Sequence, residues 1–234
     1  MWKNIYIFLL DDSGQINKIV KNLNSKDRYP GSSQTYEIRI LTEIENASQR
    51  KIIRLKAKKL RLLFQSIEIK NDKDKKQSLI VEALNAGRDF DFEDLPSNSY
   101  DLIDYRLLMN YAIYIKNKAE RIRILKFIEN SKVDDDNLNS ILYHNISNTY
   151  YTTDKSYLAL YYINKSIRAN NKNPLSPIMV YQKSIILYDL NLPYDKYVKM
   201  TLRTSKKINS NLYEILLNKY KAKANDDKNF IISY

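Results

Sequence analysis

The chain contains no cysteine. Disulfides, cysteine-ligated zinc and a thiol nucleophile are therefore excluded. Its single histidine, His144, rules out a multi-histidine metal site and leaves one candidate for a serine–histidine–aspartate relay. The three glycines, Gly14, Gly31 and Gly87, stand too far apart for a phosphate-cradling loop of the G-x-G-x-x-G or G-x-x-x-x-G-K type. Most nucleotide enzymes are lost with that loop. Long apolar runs are also missing. Ile5–Leu10 is six residues long and stops at Asp11-Asp12, short of a signal core or a membrane span. The expectation is a soluble, cytoplasmic protein with no membrane contact.

What is present points to helices. The 234 residues are 44% hydrophobic and 28% charged, which allows a sizeable core and argues against wholesale disorder. Lysine and arginine exceed aspartate and glutamate, for a formal charge of +12. Scarce glycine and proline, with abundant leucine, lysine, glutamate and isoleucine, favour helix. In Ala47–Ile69 the apolar residues Ile53, Ala57, Leu60 and Phe64 recur at helical spacing, and Lys51, Arg54, Lys58 and Arg61 recur on another face.

Breaks follow at short intervals: Asp11-Asp12-Ser13-Gly14, Tyr29-Pro30-Gly31-Ser32-Ser33, Asn71-Asp72-Lys73-Asp74, Leu95-Pro96-Ser97, Asn173-Pro174 and Leu192-Pro193. Asp134-Asp135-Asp136 and Thr153-Asp154 open further helices. Ile5-Tyr6-Ile7-Phe8 has strand propensity, but its closeness to the next helix favours a helical hairpin. The pattern predicts about eleven antiparallel helices joined by short loops.

Ser140–Asn171 carries the most specific signal. Tyr143-x2-Ile146-Ser147-x2-Tyr150 is followed by Ala159-x3-Ile163-x2-Ser166. This resembles the tetratricopeptide repeat (TPR), an antiparallel helix pair with small residues where the helices touch. Ser147, Ala159 and Ser166 would let the two helices approach closely, and Tyr143, Tyr150 and Ile163 would fill the space between repeats. The chain departs from the consensus in using Ser for Gly and Ala and in placing its proline late, at Pro174.

Weaker copies flank the repeat. Asn110-Tyr111-Ala112-Ile113 echoes Asn145-Ile146-Ser147-Asn148 at a separation of 35 residues, with Leu125–Ile128 on a partner helix. Ser184–Tyr188 starts another pair that continues through Tyr197–Ile208, and Asn209–Ala224 reads as a closing helix. Leu60–Ile69 with Asp74–Ala86 is a degenerate hairpin upstream. The expected fold is all-α, a right-handed array of antiparallel helix hairpins (a TPR-like α-solenoid) forming one domain. Residues 1–95 hold degenerate hairpins, 98–208 clearer repeats, and 209–234 a closing helix and tail.

The order of elements also resembles the sensor half of the Rgg/PlcR-type regulators. The likeness rests on the Leu9-Leu10-Asp11-Asp12…Ile16-x2-Ile19-Val20 hairpin, on Asp89-Phe90-Asp91-Phe92 before Asp101–Tyr114, on the repeat itself, and on Ile185–Leu190 with Tyr194–Tyr197 after it. That resemblance implies a cytoplasmic transcription regulator that receives a short linear signalling peptide in its concave groove and dimerises through its last helices. Members of the family begin with a helix-turn-helix domain, whereas Met1-Trp2 lies where that domain would already have ended. DNA contact is thus expected only through a helix-turn-helix outside these residues or on a partner chain. The alternative is a TPR adaptor or antagonist that docks a protein partner, such as a full-length regulator, and senses no peptide.

In such an array the first helix of each pair lines the groove. The repeat register places Ile141, His144, Asn148 and Tyr151 there, with Arg106, Met109, Ile113 and Lys116 before them and Ile178, Tyr181, Ile185 and Tyr188 after. The peptide-binding candidates are Arg106, Met109, Ile113, His144, Asn148, Tyr151, Tyr181 and Tyr188. An Asn amide can donate to a peptide carbonyl and accept from its N–H. Tyrosine supplies rigid area with a polar tip, and Arg106 or Lys116 can hold a carboxylate. The plainer readings are that Asn148 bridges adjacent helices, that His144 is a solvated or hydrogen-bonded groove residue rather than a catalyst, and that most of the twenty tyrosines pack the repeats.

The basic helix Lys51–Leu63 reads first as the solvated face of a core helix, with contact to nucleic acid or an anionic membrane as the rival. The acidic groups Asp134–Asp136 and Asp89–Asp94 lack the glycine and distal glutamate of a calcium loop and read as helix caps. No metal, no cofactor and no catalytic residue is assigned, and no enzyme activity is expected.

Overall fold

The computed structural model describes residue 16 and residues 35–48, 50–69, 71–86, 100–169 and 176–232. Among the described residues the regular structure is entirely helical. Ten helices are complete: α1 Thr35–Ala47, α2 Lys51–Glu68, α3 Lys73–Asn85, α4 Leu102–Tyr114, α5 Lys118–Asn130, α6 Asp136–Tyr151, α7 Ser156–Ala169, α8 Ser176–Asp189, α9 Asp195–Ile208 and α10 Ser210–Asp226. Among the described residues no helix is long and apolar enough to cross a membrane. The strand-like Ile5–Phe8, the caps at Asp89–Asp94 and most of the Leu9–Val20 hairpin lie outside the described residues; of that hairpin, Ile16 is helical and buried. The loops at Tyr29–Ser33, Leu95–Ser97 and Asn173-Pro174 lie outside them too.

The helix ends follow from side-chain chemistry. Asp72, Asp101, Asn117, Asp135 and Asn209 each accept a backbone N–H from the first turn of the helix that follows. Asp101 and Asp104 form a reciprocal capping box. With so few glycines, other residues take the left-handed conformation where helices stop. Asp154 has φ 57° and Asn191 has φ 54°. Each is followed by an N–H that reaches back over the last turn, Lys155 to the Tyr150 carbonyl and Leu192 to that of Leu187.

The chain divides into two compact units, ending and beginning at Ser131 and Lys132. In the first, each helix from α1 to α5 packs on the next, and α2 also meets α4. The basic helix α2 buries Ile53, Ala57, Leu60 and Phe64 as its spacing predicts. Its cations are largely engaged inside the unit. Arg61 grips the Glu45 carboxylate through Nε at 2.7 Å and a second nitrogen at 3.3 Å. Lys58 pairs with Glu82 at 3.2 Å. Lys59 reaches the deeply buried Asp104 at 2.7 Å, so this charge secures α4 to α2 and cannot face a solvent anion. Lys51 and Arg54 remain exposed.

In the second unit α6 to α10 also pack in sequence, most extensively between α6 and α7. Ser140 Oγ donates to the Ser166 carbonyl at 3.0 Å, and Ser166 Oγ donates to the Ser140 carbonyl at 2.7 Å. Seven residues along α6, Ser147 Oγ donates to the carbonyl of Ala159, which lies seven residues back along α7, at 2.7 Å. Equal steps in opposite directions make the pair antiparallel. Ser140, Ser147, Ala159 and Ser166 are all fully buried, so small side chains line the contact and their hydroxyls satisfy themselves on the facing backbone. Tyr150 stacks on Tyr162 at a centroid distance of 5.7 Å, and Tyr143 meets the same ring tilted at 6.2 Å. They therefore pack within the pair as well as beyond it. Met179 of α8 contacts the Ser140 and Ser166 hydroxyls, Gln182 reaches Ser147 and Asp189 meets Tyr151. Those partners ascend together, so α8 runs in the same direction as α6.

This packing gives a direct test. Ser166→Ala removes one reciprocal hydrogen bond and should cost about 1 kcal/mol. Ser166→Leu forces a large side chain into a dry helix contact and should cost about 3 kcal/mol. Urea unfolding monitored by circular dichroism reads both, and equal midpoints for Ala and Leu would show that the contact is not tight.

Candidate functional site

The eight candidate residues fall into both units. Arg106, Met109 and Ile113 belong to α4 in the first. Arg106 and Met109 are buried, at 7% and 4% exposure, so neither meets a ligand while its surroundings stay closed. Ile113 is exposed, and Lys116 is exposed beyond the end of the helix. The echo of the repeat holds for packing, since Ala112 and Ser147 are both fully buried. It does not hold for the groove positions, because buried Met109 stands where partly buried His144 stands in the second unit.

In the second unit Ile141, His144, Asn148 and Tyr151 are partly buried or exposed on α6, Asn148 being the most open. The structure brings Tyr151, Tyr181, Ile185 and Tyr188 into one apolar cluster. Its fully packed members also include Val198, Leu202, Leu217, Tyr220 and Phe230. Three of the candidates, Tyr151, Tyr181 and Tyr188, thus share one cluster, with α10 and the segment after it packed against them. Tyr181 meets the Tyr220 ring at 4.8 Å, and the Tyr220 hydroxyl lies 2.8 Å from Ser184 Oγ.

Residues 227–232, after α10, have no regular structure and fold back through one tight turn. Phe230 N–H donates to the Asp227 carbonyl at 3.0 Å, and Asn229 N–H to the Asp227 side chain at 3.0 Å. The turn drives Phe230 into an aromatic cage. Its ring stacks on Tyr194 and Tyr220 at 5.1 and 5.9 Å and meets Tyr188 edge-on at 5.0 Å. Tyr188 Oη donates to Asp227 Oδ2 at 2.6 Å, and Ile231 N–H donates to Tyr194 Oη at 2.9 Å. The tyrosine tips thus hold both a carboxylate and a backbone amide, while the rings hold an apolar side chain.

The electrostatics of the face are consistent with its hydrogen bonds. The Tyr188 phenol is pushed up to about 12, first by its bond to Asp227, and the Asp227 carboxyl is held below the usual range by that same bond. Burial raises Tyr151, and Asp189, which accepts from its hydroxyl, raises it further. Lys223 Nζ pairs with Asp189 at 3.3 Å and lies 5.1 Å from the Tyr188 ring centre. Tyr151 and Tyr188 therefore stay neutral at neutral pH and donate to Asp189 and Asp227.

His144 sits beside this face. Burial pushes its imidazole down to about 4, with a hydrogen bond to Gln182 pulling weakly the other way. His144 is therefore neutral at physiological pH. The Gln182 amide oxygen is buried without a hydrogen-bond partner, while its NH2 group reaches Ser147. Among the described residues no group of three metal-ligating side chains comes together.

Two features escaped the sequence reading. The first is Phe230 with Asp227, which carry no repeat signal because they follow the last helix. The second is the outer face of α9, where Lys196, Lys199, Met200, Arg203 and Lys207 are all exposed. Their helical spacing is legible in the sequence, but their exposure is not.

The histidine makes a pH prediction. Its ordinary value is 6.5 and its folded value about 4. Between those values the unfolded chain binds the proton and the folded chain does not, so stability falls as pH drops through that window. The loss from pH 7 to pH 5 should be about 1–2 kcal/mol from this group. Urea unfolding of the wild type and of His144→Gln at both pH values isolates it, because the carboxylates contribute equally to both. Parallel curves would remove His144 from the account.

Neither a protein-family model, nor a characterised protein, nor a solved structure matches this chain.

Proposed function

We propose that the chain is a TPR-like binding module whose second unit docks a short linear peptide on the face formed by α6, α8 and the tyrosines around them. The observation that carries this reading is the aromatic cage at Tyr188, Tyr194 and Tyr220, where a non-helical stretch of chain already sits. Peptide recognition needs rings for an apolar anchor and fixed polar tips for the backbone and a charged side chain, and the cage supplies both. Asn148 and Tyr151 extend the face along α6 with an open amide and a phenol. The signalling role follows from the Rgg/PlcR resemblance. On that reading the peptide shifts the packing of the unit, or of a homodimer, and a helix-turn-helix carried elsewhere delivers the output to DNA.

A second reading, an adaptor that docks a folded partner, draws on α7. Tyr157, Leu158 and Tyr161 are exposed at 73%, 45% and 56% there. Apolar side chains so open and so close together suit a protein contact.

The two readings separate by experiment. A peptide sensor gains thermal stability with its peptide, because a ligand that binds only the folded state raises the melting temperature. Asn148→Ala should then weaken binding by about 1–3 kcal/mol in calorimetry. An adaptor shows no peptide-dependent shift and loses its co-purifying partner on Tyr157→Asp with Tyr161→Asp. A chain that responds in neither assay is not a docking module.

A further inference from the structure

We infer that segment 227–232 is a built-in, releasable occupant of the tyrosine cage, and that the surface it vacates takes peptides bearing an aspartate and, three positions later, an aromatic residue. The inference rests on the docking reading above and names the ligand chemistry of the same face.

Three contacts define the register. Asp227 receives the Tyr188 hydroxyl, Phe230 enters the cage, and the Ile231 N–H reaches the Tyr194 hydroxyl. The intervening Lys228 and Asn229 are exposed and only complete the turn. A ligand therefore needs an acidic side chain that starts a turn and an aromatic side chain that ends it. Aspartate suits the first position because its carboxylate also caps the turn, here through the Asn229 N–H.

The same geometry allows release. In the segment Phe230 is fully buried, at 3% exposure, and Ile232 packs partly buried against the same cluster, whereas Ile231 is 64% exposed. No regular hydrogen-bonded ladder ties the segment down. Tyr188 and Tyr194 are partly exposed, so their hydroxyls pass to water when the segment leaves and strand no buried donor. Segments held in this way open well before the fold as a whole. An incoming peptide of the same chemistry competes with a tethered copy of itself, so the segment sets the threshold for binding.

Fluorescence polarisation tests this with the full chain and a labelled peptide copying residues 226–232. Phe230→Ala in the protein weakens the tethered competitor, and this variant should bind the peptide at least tenfold more tightly than the wild type. The same peptide with its phenylalanine replaced by alanine should lose at least tenfold. Failure of the Phe230→Ala protein to bind, with its helical circular dichroism intact, would overturn the inference, as would equal binding by both proteins. Hydrogen exchange on the unaltered chain covers the case of a variant that does not fold. The Phe230 and Ile231 amides should exchange at least a hundredfold faster than those of Leu216–Tyr220, and exchange only with global unfolding would make the segment a fixed part of the core. Peptide display against the Phe230→Ala chain separates this inference from the reading beneath it. Enrichment of aspartate and aromatic residues at that spacing supports both; other enriched sequences sink the ligand class alone, and no enrichment sinks both.

Discussion

The second unit depends on how closely α6 and α7 can approach. Two helices normally stand apart by the thickness of the side chains between them. Here Ser140, Ser147, Ala159 and Ser166 reduce that thickness to a hydroxyl or a methyl group. The hydroxyls then have nowhere to go but the facing carbonyls, and they reach them at 2.7–3.0 Å. A buried hydroxyl without a partner costs more than its hydrogen bond returns. The clasp is therefore specific as well as close: a slip of register along α6 would strand three polar groups at once. It also fixes the surface that α8 packs against, since Met179 and Gln182 meet the same serines.

The aromatic face follows from that arrangement. With α8 running alongside α6, Tyr151, Tyr181 and Tyr188 are presented on one side, and α10 and the segment after it close over part of them. The tyrosines serve as apolar walls with polar tips, which is why one surface accommodates a carboxylate, an amide and a phenyl ring without any charged residue at its centre. Charge is kept at its edge, in Lys223 with Asp189. In the first unit charge has the opposite role. The basic helix α2 directs Arg61, Lys58 and Lys59 into carboxylates of neighbouring helices, and the net charge of the chain shows nothing of that internal pairing.

The sequence by itself determined the helices and where most of them stop. Helical periodicity, aspartate and asparagine caps and the scarcity of glycine act locally, within one or two turns. The described boundaries at Asp72, Asp135 and Asn209 accordingly stand where those residues place them. The small residues of the repeat were legible too, because a position that must be small on both helices leaves a trace in each. Tertiary structure alone decided which faces are open. Arg106 and Met109 share a register with Asn148 and its neighbours, yet lie buried, because burial depends on what packs above a helix face and not on its spacing. Phe230 shows the same thing from the other side. A lone phenylalanine after the final helix has no periodic partner in sequence, and it becomes the anchor of an aromatic cage only when Tyr188, Tyr194 and Tyr220, from three different helices or their ends, converge on it.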